Sequence, residues 1–289
     1  MPDRPCDGEG ALAVVVGAAG MLGRAMGPAL RSAGLRVAES DVGGVDITNE
    51  GSVRAGIGED VRFVVNCAAY TDVDRAETEE AAALAVNAEG PGLLAERCRE
   101  IGAALLHFST DYVFDGRASA PYGIGEPRRA LGAYGRTKAE GERRIEASGC
   151  ESLIVRTSWL YAPWGKNFVR TIARLAREKP EIRVVNDQRG RPTSAEGLAS
   201  SSAALLLKGE RGVRHATDGG ECTWFEFAGE IVRTVGAPCR VLPCSTEEFP
   251  RPAARPAYSV LDLSETEAAI GPMTDWRTAL RDVVARLEP

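Results

Sequence analysis

Histidine is almost absent from this chain. His107 and His215 are the only two in 289 residues, which excludes a zinc site built on imidazoles. Cysteine is present but unpaired in pattern: Cys6, Cys67, Cys98, Cys150, Cys222, Cys239 and Cys244 are odd in number and include no CxxC pair. In a chain this long they point to a reduced, cytoplasmic setting rather than a disulfide-stapled fold. No apolar run reaches the length of about 20 residues that a membrane helix needs. Ala11 to Gly17 is too short, and lacks the basic lead of a signal peptide, so no membrane partner is expected. Basic residues are outnumbered, 35 Lys and Arg against 41 Asp and Glu, for a net charge of −6. That excludes a broad nucleic-acid surface, although a few arginines and backbone amides still suffice for one phosphate pocket. No internal repeat or low-complexity tract appears.

The remaining composition is that of a globular protein. At 44% hydrophobic and 26% charged residues it has enough apolar matter for a real core. From Ala11 short apolar runs alternate with amphipathic stretches, the rhythm of βαβ units. ALAVVVG, LRVAESD, RFVVNCAA, ALLHFST and SLIVRTSWLY read as strands, the first because it is short and apolar throughout. Met21–Ser32, Glu79–Cys98 and Tyr134–Ala147 read as helices, with Gly34 suited to closing the first. After Trp159 the texture changes. NFVRTIARLAREK carries Phe168, Ile172 and Leu175 at helical spacing, and RPAARPAYS reads as an irregular loop. The expected fold is α/β: a Rossmann-type doubly wound parallel sheet with a smaller, interleaved C-terminal substrate domain. Residues 1–10 are expected to be a flexible tail. Residues 11–158 with about 194–217 would bind a dinucleotide, and about 159–193 with 218–289 would bind a substrate.

GAAGMLG follows the first strand directly and opens a helix. Gly17 permits a tight turn, Gly20 lets a pyrophosphate approach the backbone, and Gly23 lets helix and strand pack closely. Free amides at the helix start would face the phosphates along the helix dipole. The GxxGxxG spacing is the one found in short-chain dehydrogenases. Asp41, ending the second strand, sits where an acid accepts hydrogen bonds from the adenosine ribose and repels a 2′-phosphate, which tilts the reading toward NAD. Asp46 and Ile47 follow, placed to flank the adenine.

YGRTK sets Tyr134 and Lys138 four residues apart, on one face of a helix. A free tyrosine has a pKa of about 10, and a neighbouring ammonium is expected to lower it. The lysine could also hold a nicotinamide ribose. HFSTDYVFDG ends a strand with Ser109 and Thr110, at the carboxyl edge where open parallel sheets bind ligands. A hydroxyl there can stabilise developing alkoxide charge on a substrate carbonyl. YxxxK alone is common by chance; its place after several strand–helix units, downstream of a glycine loop, makes it an active-site candidate.

The segments VVNCAAYTDVDRAE, VNAEG, STDYVFDG, YGRTKAEGE, RTSWLYAPWGKNF, NDQRGRPT and RPAYSVLD, running from the glycine loop to about Asp262, resemble the dTDP-4-dehydrorhamnose reductase family of extended short-chain dehydrogenases. The resemblance implies that Thr110, Tyr134 and Lys138 are catalytic. It places Gly20, Met21, Leu22, Asp46, Ile47, Ala68, Ala69, Tyr70 and Thr71 along an NADH or NADPH molecule. It assigns Asp111 and Trp159, with Val73, Tyr112 and Asn167, to a dTDP-linked deoxysugar beside Thr110, and Arg255 to the diphosphate. The implied reaction is NAD(P)H-dependent reduction of the C4 keto group of dTDP-4-keto-L-rhamnose to dTDP-L-rhamnose, by a monomer or homodimer. Alternatives are a 4-ketoreductase for another nucleotide deoxysugar, or a non-catalytic protein resembling the regulatory subunit of methionine adenosyltransferase. Two departures stand out. EPRRALGAY ahead of Tyr134 is shortened, with Gly132 where the family commonly has Asn. Of two positions where some members hold magnesium, Glu196 matches one and Ala25 replaces the other, so no metal is expected.

Overall fold

The computed structural model describes residues 10–287; the expected tail lies outside them except for Gly10. Five strands begin the fold: β1 (Leu12–Val16), β2 (Arg36–Ser40), β3 (Val61–Asn66), β4 (Ala104–Thr110) and β5 (Ser152–Thr157). Short strands β6 (Leu160–Tyr161), β7 (Glu181–Val185), β8 (Arg189–Gly190) and β9 (Thr193–Ser194) come before β10 (Gly212–His215). The central sheet is parallel, in the order β10-β5-β4-β3-β1-β2. The chain steps from β1 out to β2, then returns to β3 on the other side of β1. That reversal opens a crevice at the carboxyl end of β1, where open α/β sheets take their ligands.

Both faces of the sheet are covered, which is why its central strands are mainly apolar and the polar residues His107, Ser109, Thr110 and Arg156 on them are buried. Ala13 and Val15 of β1 point toward α1 (Gly23–Ser32) and α7 (Ala195–Leu207), in a core with Met26, Leu30 and Leu198. Val14 and Val16 point the opposite way, the alternation a strand imposes. There they meet Leu94 of α4 (Gly90–Ile101) and Ile145 of α5 (Ala133–Ser148), while α2 (Glu50–Gly56) adds Val53.

A separate core lies beyond the sheet. α6 (Phe168–Glu178), α8 (Trp224–Val235) and α10 (Trp276–Val284) bring Val169, Ile172, Phe227, Ile231, Trp276 and Leu280 together. β7 pairs with β12 (Arg240–Cys244) at the side of this unit, and β8 with β11 (Cys222–Thr223). The helix α9 (Ser264–Ile270) returns the chain to α7 and β10.

Two expected elements are broken. The helix predicted over Glu79–Cys98 is α3 (Glu80–Leu84), a π turn at Ala85–Glu89, and then α4. The turn puts the Asn87 side chain against the backbone of Tyr70, which a regular helix would not do. The strand predicted over SLIVRTSWLY stops at Thr157, because Trp159 adopts a φ of +47° and sends β6 to pair with β9.

α5 approaches its neighbours closely because two of its residues lack side chains. A Cβ on Gly135 would overlap the carbonyl oxygen of Tyr112, and one on Gly141 that of Asn87. Gly141→Ala is therefore expected to lose about 1–3 kcal/mol by overpacking, seen as a lower urea midpoint at unchanged m. An unshifted midpoint would mean that α5 can back away from the π turn freely.

Candidate active site

The glycine loop has the geometry its sequence requires. Gly17 has a φ of +74°, and a Cβ there would sit 2.5 Å from the backbone nitrogen of Ala68. A Cβ on Gly23 would overlap the carbonyl oxygen of Gly17. Gly20 is exposed at the mouth of the loop. The loop borders a cleft of about 300 Å³, also lined by Asp41, Asp46, Ile47, Ala68 and Ala69. A groove walled by unobstructed backbone at the switch point of a parallel sheet fits a dinucleotide.

Within that cleft the side chains divide their labour. Asp41 accepts a hydrogen bond from the Ala19 amide at 2.8 Å, so one carboxylate oxygen already braces the loop. Asp46 is held below the usual carboxylate range by the Thr48 hydroxyl and amide. Ile47 is buried against Gly90. Met21 lends its carbonyl to the Trp164 indole at 3.0 Å. The Leu22 side chain is turned into the core with Met26, which leaves only its backbone to a ligand. Tyr70 donates its hydroxyl to Glu79 at 2.6 Å, and Thr71 is exposed.

Tyr134 and Lys138 share the face of α5 turned to the end of β4. Lys138 is buried and donates to the Phe108 carbonyl at 2.5 Å, with His107 Nε2 at 3.4 Å. The Thr110 hydroxyl donates to Asp111 at 2.9 Å and accepts from the Tyr112 amide. Burial brings Lys138 down to about 8, with the charge of Glu142 acting against the fall. Burial likewise pushes Asp111 up to about 7, against the pull of neighbouring hydroxyls.

The expectation for Tyr134 needs correction. Its pKa is not lowered but pushed up to about 12, first by burial and then by the Asp111 carboxylate, while the Thr110 hydroxyl pulls the other way. The ammonium that was to favour the phenolate faces the Phe108 carbonyl instead.

On the expected substrate side, Val73 and Tyr112 lie with Tyr134 around a small hollow closed by Ala254 and Pro256. Arg255 is paired with Asp74 at 2.9 Å and lies over the Tyr112 ring. Trp159 stacks on Trp224 with ring centroids 3.6 Å apart. Asn167 caps α6: its amide oxygen accepts from the Arg170 nitrogen, and its amide nitrogen donates to the carbonyls of Ala162 and Trp164.

Three features escaped the sequence. Asn87 accepts from the Tyr70 amide and donates to the Tyr70 carbonyl and the Thr137 hydroxyl, tying the cleft wall to α5. Asn66 and His107 form a buried contact of 3.0 Å behind Lys138. Trp224 opens α8 beneath Trp159, inside a capping box between Thr223 and Glu226 that the spacing alone could have shown. Among the described residues no three His, Cys, Asp or Glu side chains converge as a metal site, and Glu196 is paired with Arg286. No described helix is long and apolar enough to cross a membrane.

Comparison with known proteins gives this site a context. Residues 12–288 match the family model described as the RmlD substrate binding domain. A dTDP-4-dehydrorhamnose reductase of Streptomyces griseus is 45% identical over 278 residues, spanning 93% of this chain and 91% of that protein. A probable dTDP-4,6-dihydroxy-2-methyloxan-3-one 4-ketoreductase of Streptomyces antibioticus is 44% identical, spanning 93% of each. The crystal structure of a Bacillus anthracis dTDP-4-dehydrorhamnose reductase in complex with NADP superposes with a TM-score of 0.92 at 35% identity, over 96% of this chain and 99% of that one.

The burial of Lys138 has a measurable cost. A fall from 10.5 to about 8 corresponds to about 3 kcal/mol at roughly 1.4 kcal/mol per pKa unit. The folded protein favours the neutral amine, so the unfolded chain binds more protons between those values and stability rises with pH across them. Lys138→Met is therefore expected to be more stable than the native protein by about 3 kcal/mol near neutrality. The difference should shrink between pH 8 and 10.5, as read by urea denaturation at several pH values. A gap that does not change with pH would show that the lysine is not desolvated.

Proposed function

The chain belongs to the RmlD substrate-binding-domain family, and from that premise we propose that it reduces the C4 keto group of dTDP-4-keto-L-rhamnose with NADH or NADPH, giving dTDP-L-rhamnose. The observation that carries this reading is the meeting of Thr110, Tyr134 and Lys138 at the carboxyl edge of the sheet, in a chain otherwise so close to a reductase of that name. The amides around Gly17, Gly20 and Gly23, with the backbone of Met21 and Leu22, would hold the diphosphate. Asp41, Asp46 and Ile47 would lie along the adenosine, and Ala68, Ala69, Tyr70 and Thr71 along the other half, with Lys138 on its ribose. When bound, the dinucleotide supplies the hydride.

The protein's own task is then the carbonyl oxygen. Thr110 polarises it by a hydrogen bond, and Tyr134 delivers the proton. A phenol pushed up to about 12 is protonated at neutral pH, the state a proton donor needs. Asp111, Trp159, Val73 and Tyr112 line the path of the sugar, and Arg255 would meet the diphosphate in exchange for Asp74. In domain terms, residues 11–158 with about 194–217 hold the dinucleotide, and about 159–193 with 218–289 the substrate. Cytoplasmic placement fits the six free cysteines among the described residues.

A second reading, a 4-ketoreductase for another dTDP-deoxysugar, is favoured by the Streptomyces antibioticus relative and by the shortened stretch ahead of Tyr134. Product analysis after incubation with dTDP-4-keto-L-rhamnose and each reduced cofactor separates the two. Tyr134→Phe is expected to lower turnover at least ~100-fold while cofactor titration by fluorescence stays near native. Full turnover in that variant would remove Tyr134 from the chemistry.

A further inference from the structure

Glu142 lies one helical turn beyond Lys138 and two beyond Tyr134, so α5 presents all three on one face. It is wholly buried. One carboxylate oxygen accepts from the Ser109 hydroxyl at 2.5 Å and from Arg156 Nε at 2.9 Å. The other accepts from a second Arg156 nitrogen at 2.7 Å and from Arg128 at 3.0 Å. With four donors the carboxylate is saturated, so Glu142 makes no direct contact with a ligand. Stability alone explains it poorly, because an apolar pair of similar volume commonly does as well as a buried ion pair.

Its neighbours suggest the reason. Three successive residues ending β4 each meet a different residue of α5: the Phe108 carbonyl takes Lys138, the Ser109 hydroxyl takes Glu142, and the Thr110 hydroxyl sits against Tyr134. We propose that Glu142 is a positioning residue for the reduction. It clamps α5 onto the end of β4, fixing Tyr134 against Thr110, and it places a permanent negative charge near the Lys138 ammonium. The proposal rests on the reading of Thr110, Tyr134 and Lys138 as the catalytic set.

The surrounding charges allow that second part. Facing Lys138 are Cys67 from the end of β3, His107 from β4 and Glu142 from α5 itself. Burial raises the Cys67 thiol out of reach of titration and holds His107 well below its ordinary value, so both are neutral. Facing Glu142 are Arg156 from β5 and Arg128 from the segment before α5, with His215 of β10 behind Arg156. Burial, then the charge of Arg156, brings His215 down to about 4, so it too is neutral. Burial acts to raise Glu142, but Arg156 and Ser109 more than offset it, and the carboxylate stays charged. Glu142 is thus the anion that opposes loss of the Lys138 proton.

The test is the pH profile of kcat, with dTDP-4-keto-L-rhamnose and NADPH, for the native protein, Glu142→Gln, Ser109→Ala and Tyr134→Phe. The alkaline limb reports loss of the Lys138 proton, and with it the hold on the dinucleotide ribose, so Glu142→Gln is expected to move it about one pH unit lower, a loss of about tenfold on that limb. Ser109→Ala keeps the charge and removes one tether, so it should lower kcat about 3–10-fold, the equivalent of about 0.7–1.4 kcal/mol and of one hydrogen bond, and leave the limb in place. A folded Glu142→Gln with a native limb overturns the electrostatic role. If Glu142→Gln does not fold, Ser109→Ala decides: native kcat overturns the clamp. Should Tyr134→Phe keep native turnover, the catalytic reading itself has failed, an outcome the other two variants cannot imitate.

Discussion

A lysine ammonium held out of water at the carboxyl end of a parallel sheet sets the terms for everything around it. Desolvation of that charge is costly, and a protein can tolerate it only by fixing compensating groups nearby. Here the Phe108 carbonyl accepts a hydrogen bond from Lys138, and His107 and Cys67 are kept neutral beside it. His107 is in turn steadied by Asn66, whose oxygen accepts from the Ala68 amide on the cleft wall. For α5 to bring Lys138 this close, Gly135 and Gly141 must carry no side chain at the points where the helix meets Tyr112 and Asn87. The lysine, the glycines of its helix and the wall of the cleft are therefore one construction.

Much of this frame was legible in the chain. A glycine loop behind an apolar strand defines the first βα turn, and Tyr134 with Lys138 four residues on defines a helix face, because both depend on local spacing. What stayed hidden depends on distant partners. Glu142 looks like any acid on a charged helix, and only the arrival of Arg156 from β5 shows it to be buried. Asn87 belongs to a π turn that no periodicity announces. The sense of the Tyr134 shift was missed for the same reason: spacing placed an ammonium on its face, but not the carbonyl to which that ammonium turns.

Trp159 marks where the two cores join. A non-glycine residue at φ +47° costs of order 1–3 kcal/mol and persists only when its surroundings fix it. Its ring is stacked on Trp224 and rests on Gly190, where a Cβ would lie 2.7 Å from the indole. Its carbonyl accepts from the Thr193 amide at 3.2 Å. The kink ends the sheet strand and turns the chain into the unit of α6, α8 and α10. An aromatic pair consequently stands at the junction of the sheet and that unit.

The raised pKa of Tyr134 bears on the direction of the proposed chemistry. Removing a proton from an alcohol calls for a phenolate, which is favoured by a cation beside the phenol and by hydrogen bonds to its oxygen. Delivering a proton calls for the phenol, which burial and the nearby Asp111 carboxylate both favour. Lys138, anchored on Phe108, leaves that balance undisturbed, and Thr110 opposes it only in part. The same burial that makes Lys138 costly to fold thus holds Tyr134 in its acid form. In this geometry the pair is poised to protonate an oxygen that has just gained charge, and a carbonyl undergoing reduction is the group that presents one.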